Sequence, residues 1–203
     1  MKLKNWILKG IVSLLKPRRP NPSTQKRFLV LSTTGLGDTL WGTPALRALR
    51  ETYPDCYIAV LTSPIGREIL KYNPQIDEVF VVKNPVFRRL FSLWRTLKRR
   101  RISHVLSFHI SQRPILPFAA ILGAQQIIGT KGLHKELDFL LTDALEKKEQ
   151  HEIQRRLDLV AHVGAKTRDT SLELSISPQE EASVHALLHQ WNIPWTGSGR
   201  GGA

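Results

Sequence analysis

Phe28-Leu-Val-Leu-Ser-Thr-Thr-Gly-Leu-Gly-Asp-Thr-Leu-Trp-Gly-Thr-Pro-Ala-Leu46 is the stretch that decides the fold. Phe28 to Leu31 is an apolar run of strand length, Ser32 to Thr34 close it, Gly35-Leu-Gly37 turns the chain, and Asp38 stands where a helical pattern begins. Strand, glycine turn and helix in that order open a βαβ unit. In an open α/β sheet such a turn lies at the carboxyl edge of the strand, where ligands bind. Two readings of Asp38 follow. It is either a helix N-cap or a carboxylate held and oriented by the N–H groups of the turn, placed to work as a general base.

Downstream, β-rich runs recur at Tyr57 to Leu61, Glu78 to Val82, Val105 to Phe108 and Gln126 to Ile128, with helical patterns between them. The alternation predicts a Rossmann-like, doubly wound, mostly parallel α/β sheet. The first helix runs to about Tyr53, either beginning at Thr43-Pro44 or beginning at Gly37 with a kink at Pro44. A second follows Ser63-Pro64 and stops before Asn73-Pro74. A third, Val86 to Arg101, places Phe87, Leu90, Phe91, Trp94 and Leu97 at helical spacing, which assigns Trp94 to the core. Its closing Lys98-Arg-Arg-Arg101 suits a helix C-terminus, although such a run can also dock an anion. Beyond Gly129 the pattern gives a mixed segment from Lys131 to Gln150, a helix near Ile153 to Val163 and a short strand around Leu172 to Leu174. Ser177-Pro-Gln-Glu180 is a capping box opening a last helix, with Val184, Leu187, Leu188 and Trp191 as its stripe.

The 203 residues are 41% hydrophobic and 23% charged, enough for a core without staples and unlike a disordered or polytopic membrane chain. A single Cys, Cys56, cannot form an intramolecular disulfide and fits a reducing compartment. Residues 1–27 hold eight Lys or Arg and no acid, so the rest carries only +5 of the formal +13. Within that tail, Leu3, Trp6, Ile7, Ile11, Leu14 and Leu15 share one face of a basic amphipathic helix, too short and too interrupted to span a bilayer. Lys16-Pro-Arg-Arg-Pro-Asn-Pro-Ser23 then forms a proline-rich linker. The expectation is an anionic membrane surface met by residues 1–24; the alternative is a helix packed on its own domain. The resulting division is 1–26 for helix and linker, 27–176 for the Rossmann-like domain, and 177–203 for the last helix and tail.

Other motifs narrow the chemistry. The glycine turn has Leu40 where a dinucleotide fingerprint needs its third glycine, and the second strand ends in Leu61-Thr-Ser63 without a ribose-binding acid. No Walker loop and no Gly-x-Ser-x-Gly elbow occurs. His151-Glu152 lacks the second His of a zinc helix, and Glu181, His185 and His189 share a face without a further ligand, so no metal is expected. His109-Ile-Ser-Gln-Arg-Pro114 follows the fourth strand and faces the same crevice as Asp38 by the topological rule, which makes Arg113, with Arg67 of the second helix, a candidate to grip a phosphate or carboxylate.

Leu29 to Pro54, with Ala59-Val-Leu-Thr62 and Asn73-Pro-Gln-Ile-Asp-Glu-Val79, resembles the bacterial ADP-heptose:lipopolysaccharide heptosyltransferases. Phe108 to Arg113, Leu122-Gly-Ala124 with Ile128-Gly129, and His151 to Gly164 extend the resemblance over about residues 27–193. It implies one N-terminal half of a two-domain GT-B glycosyltransferase, inverting and free of cofactor or metal. Asp38 would take the proton from the acceptor hydroxyl, with Thr33, Thr34, Gly35, Gly37, Arg67, Gln112 and Arg113 on the acceptor side. The partners implied are a glycolipid acceptor at the cytoplasmic face of the inner membrane and a nucleotide-sugar donor of the ADP-heptose kind. The donor motifs of the second half are not found in these 203 residues, which leads to the expectation of a truncated chain, inactive alone. A non-catalytic basic module binding anionic membrane or nucleic acid is the alternative; no recognised nucleic-acid motif supports the latter.

Overall fold

The computed structural model describes Gly10, Val12, Leu14 and residues 25–82, 90–108 and 115–194. Six parallel strands form one sheet in the order β3-β2-β1-β4-β5-β6. They are β1 (Arg27–Ser32), β2 (Tyr57–Thr62), β3 (Glu78–Val81), β4 (His104–Ser107), β5 (Gln126–Thr130) and β6 (Asp143–Leu145). Between and after them come α1 (Leu36–Leu40), α2 (Thr43–Thr52), α3 (Pro64–Leu70), α4 (Leu90–Arg99), α5 (Ile115–Ala120), α6 (Glu152–His162) and α7 (Pro178–Gln190), with a 3-10 turn at Asp138–Leu140. This is the doubly wound α/β architecture expected, and the order of strands reverses between β1 and β4.

The central strand explains why the opening stretch governs the rest. Phe28, Leu29, Val30 and Leu31 are all 0% exposed. Leu29 and Leu31 face a core that includes Leu97 of α4 and Ile115, Leu116 and Ala119 of α5. Phe28 and Val30 face the opposite core, with Ala45, Leu46 and Leu49 of α2 and Leu157 and Val160 of α6. A strand buried on both faces is a continuous apolar run instead of an alternating one.

Several expectations change in detail. The first helix is two: α1 ends at Leu40, and α2 begins at Thr43 with Gly42, not Thr43, at the N-cap. Gly42 fits closely there: a Cβ would meet the Thr39 carbonyl at 3.1 Å and the Phe108 ring at 3.2 Å, so either neighbour would have to give by a few tenths of an ångström. The short strand expected around Leu172 to Leu174 does not form. That segment is held on the outside of α2, where Arg47 donates to the carbonyl of Ser171 and Thr43 Oγ1 accepts from the N–H of Glu173. The sixth strand comes instead from Asp143–Leu145, inside the segment expected to be mixed. The capping box at Ser177 and Glu180 is present in both halves, yet α7 buries none of its residues, and Val184, Leu187 and Trp191 are exposed.

Two imidazoles give the fold a pH dependence: His134, 1% exposed, is pushed down by burial, and so is the half-buried His104. His104 opens β4, 5.2 Å from the ring of Phe28. Burial, assisted by the charge of Lys26, pushes it down to about 4 from 6.5. Between those values the unfolded chain binds a proton that the folded one refuses, so stability is lost as the pH falls through this window, by up to about 1.4 kcal/mol per pH unit. Glu78, held low by the Arg100 guanidinium, adds its loss only at lower pH. Urea midpoints should therefore decline with acidification through this window, and His104→Leu should lessen the decline, the remainder belonging to His134. A midpoint that does not move in that window contradicts this.

Candidate active site

Parallel strands 3-2-1-4-5-6 place the crevice at the carboxyl edge between β1 and β4, where connections leave in opposite directions. Thr33 and Thr34 follow β1 there, and Gly35 caps α1 through its backbone alone, without a side-chain cap. Thr39 donates to the Gly35 carbonyl from both its N–H, at 3.1 Å, and its Oγ1, at 3.0 Å. Asp38 occupies the third helical position, so the N-cap reading of this residue does not hold. Its side chain is 34% exposed and is spent on something else.

That something is Arg156. Arg156 Nη2 donates to Asp38 Oδ1 at 3.2 Å, and the Arg156 side chain is 0% exposed. Glu152, one helical turn earlier, approaches Arg156 Nη1 at 3.7 Å. The guanidinium lies 5.8 Å from the ring centre of Trp41, at the end of α1, and Trp41 meets the ring of His151 edge-on at 5.5 Å. His151 in turn caps α6, accepting from the N–H of Ile153. Burial works against the charge on Arg156, and the carboxylates of Glu152 and Asp38 restore part of it. Two of its donors, Nε and Nη1, make no hydrogen bond among the described residues. A fully buried, incompletely satisfied cation is a costly device, and the result is a carboxylate with one oxygen fixed.

The packing that creates this contact is readable from the elements. α2 lies against α6 on one face of the sheet, which carries the first turns of α6 to the loop after β1. On the other flank, Ser63 ties that loop to α3: its Oγ donates to the Thr34 carbonyl at 2.9 Å and accepts from the N–H of Gly66. Gly66 is obligatory, since a Cβ would lie 2.0 Å from Thr62 Oγ1.

Of the candidate site residues, Thr33, Thr34, Gly35, Gly37 and Asp38 are together on one turn. Thr33 is buried, and Thr34 Oγ1 is buried without a hydrogen-bond partner among the described residues. Arg67 is exposed on α3, the helix that packs against α1. Gln112 and Arg113, with the rest of His109 to Pro114, lie outside the described residues. Sequence reasoning passed over Arg156, Glu152 and Trp41. The usable signal was an arginine sharing a helix face with Ile153, Leu157 and Val160, where an apolar residue belongs. Among the described residues no group of three His, Cys, Asp or Glu side chains is arranged to hold a metal ion.

No protein-family model matches the sequence, and no curated protein matches it. Solved structures do. A glycosyl transferase family 9 protein from Veillonella parvula superposes with a TM-score of 0.69 and 22% identity, over 84% of this chain and 51% of that one. E. coli ADP-heptose lps heptosyltransferase II gives 0.61 and 18%, over 83% and 51%. E. coli heptosyltransferase WaaC, solved with ADP, gives 0.61 and 17%, over 71% and 49%. At these identities the likeness is one of fold: the chain has the Rossmann-like α/β architecture found within these GT-B glycosyltransferases and spans about half the length of the structures it matches.

Proposed function

We propose that this chain is the acceptor-binding half of an inverting glycosyltransferase of the heptosyltransferase kind, with Asp38 as its general base. The observation that carries the reading is the Asp38–Arg156 contact at the carboxyl edge of β1, because it fixes Oδ1 and leaves Oδ2 outside the contact, on a side chain that is 34% exposed. In the reaction, an acceptor hydroxyl attacks the anomeric carbon of a nucleotide-sugar, the bond to the nucleotide phosphate breaks with its electron pair, and the hydroxyl proton passes to Asp38. Arg67, Gln112 and Arg113 supply cations and a donor for the phosphates or carboxylates of a lipopolysaccharide-core acceptor. The donor, an ADP-heptose-like nucleotide-sugar, is held by a second half. Residues 27–176 form the acceptor domain, and 177–203 lead towards that half; the exposed apolar stripe of α7 supports this division.

The acceptor is a glycolipid, met at the inner face of the inner membrane. No helix among the described residues is long and apolar enough to cross a bilayer. Residues 1–24 provide a peripheral anchor. Most of them lie outside the described residues, but Val12 is 5% exposed within the α4–α5 core while Leu14 is 89% exposed. Val12 thus packs on the domain while Leu14 turns an apolar side chain outward, a pairing that lends support to both readings of the amphipathic start. The test is transfer from ADP-heptose to a Kdo–lipid A acceptor by the chain supplied with a donor-binding half. Asp38→Asn should remove it, and undiminished transfer refutes the reading.

A further inference from the structure

The outer face of α4 carries a feature that neither the core nor the crevice uses. The helix Leu-Phe-Ser-Leu-Trp-Arg-Thr-Leu-Lys-Arg contains no acid. Its inward side is accounted for by Leu97, which is 0% exposed, with Leu93 packed against the same core. Phe91, Arg95 and Lys98 stand at i, i+4 and i+7 away from that side, with Trp94 at the margin, packed against the same core. Phe91 is 73% exposed, far more than a core residue at helical spacing should be. Its ring stacks on Trp94 at 5.9 Å, and Lys98 Nζ lies 5.5 Å from the Trp94 ring centre. Trp94 is partly buried, its indole N–H directed to the Ile121 carbonyl at 3.4 Å.

The charges around this stripe are left for a partner. Arg100 is turned back to the domain, where it binds Glu78 at 2.7 Å. Arg95, Arg99 and Arg101 are exposed, and no ion pair joins them to an acid among the described residues. Val12 belongs to the same buried cluster as Leu97, so the outward-facing Leu14 lies on the same side of the sheet as α4. The Phe91 end of α4 follows β3 and sits towards the carboxyl edge, the edge that holds Asp38.

We infer that the outer face of α4 is a second membrane-contacting surface, in which Phe91 and the edge of Trp94 enter the headgroup boundary of an anionic bilayer while Arg95, Lys98, Arg99 and Arg101 pair with lipid phosphates. Aromatic rings flanked by cations on one helix face match an interfacial helix lying in the plane of a lipid surface. Charge complementarity selects the lipid: four cations without an acid demand an anionic surface, and an exposed phenylalanine between them demands one with an apolar interior. A single convex helix offers no groove to follow a nucleic-acid backbone. Two contacts on one side, Leu14 with its tail and α4, fix the orientation of the domain as one contact cannot, and they hold the Asp38 crevice close to a surface-bound acceptor. This purpose rests on the glycolipid reading, but the binding itself needs neither acceptor nor donor.

The test is partition of the full chain onto phosphatidylglycerol–phosphatidylcholine vesicles, with duplex DNA as a parallel titrant. Phe91→Ser/Arg95→Ser/Lys98→Ser, all outward-facing, is compared with Lys166→Ser/Arg168→Ser. The latter pair is exposed just after α6, on the opposite face, and removes the same two charges. The triple variant should lose about tenfold or more in vesicle partition, as two surface cations and an aromatic anchor imply. The control should stay within about twofold, with both variants keeping wild-type far-ultraviolet circular dichroism. Equal partition of triple variant and wild type overturns the inference, as does an equal loss in both variants, which would reduce the effect to net charge. DNA binding tighter than vesicle binding, and lost in the triple variant, would also overturn it and assign the stripe to nucleic acid. Vesicle results leave sugar transfer untouched, so failure here is separable from failure of the proposed function.

Discussion

Arg156→Ala is expected to lower the free energy of unfolding by about 3 kcal/mol, the low end of what breaking a buried ion pair costs. The side chain is 0% exposed, so alanine leaves a cavity as well as two carboxylates without their cation. The low end applies because Asp38 and Glu152 keep 34% and 29% of their side-chain surface and stay partly hydrated. For a domain of this size the melting temperature should fall by about 6–12 °C. Arg156→Met separates the two contributions. It fills the space while still leaving Asp38 and Glu152 without their cation, so it should recover the share of the loss that belongs to the cavity and keep the share that belongs to the broken pair. Urea denaturation of the three proteins measures both. An alanine variant as stable as the parent would mean that Arg156 is not packed as described.

Asp38→Asn carries the largest functional effect. The amide keeps the size of the carboxylate, and its oxygen still accepts from Arg156, but it cannot take a proton. With a donor-binding half supplied, transfer should fall about 10²–10⁴-fold, the span of a lost general base. KM for the acceptor should change little, since the cations assigned to its anionic groups are elsewhere. Stability should drop as well, by about 1–3 kcal/mol, because the 0% exposed Arg156 then keeps only Glu152, at 3.7 Å, as a charged partner. A variant that retains transfer within tenfold of the parent removes Asp38 from the chemistry.

The sheet was readable because its central strands are buried on both faces. Phe28 to Leu31 and Tyr57 to Leu61 form apolar runs that no amphipathic helix would show, and glycine and proline mark their ends. β6 was missed because Asp143-Ala-Leu145 is three residues long and only its neighbour β5 defines it. The segment around Leu172 misled for the opposite reason. Its apolar alternation is real, but Arg47 and Thr43 hold it on α2 and expose Leu172 and Leu174. Asp38 was legible from its turn, and the structure removes the cap reading by putting Gly35 at the cap. Arg156 was not legible, because its partner is 118 residues away in sequence and pattern counting treats a charge on an apolar helix face as an interruption. Phe91 shows the limit of the same counting: the stripe of α4 was assigned to the core, and Leu97 with Leu93 and Trp94 does pack there, whereas Phe91 faces out.

The most direct measurement is a calorimetric titration of the purified chain with a soluble Kdo-containing core acceptor and, separately, with ADP-heptose. If the chain is the acceptor side of a glycosyltransferase, it binds the acceptor, shows no measurable affinity for the nucleotide-sugar, and releases no ADP when both are present. Binding of ADP-heptose without binding of the acceptor, or turnover by this chain alone, would contradict it.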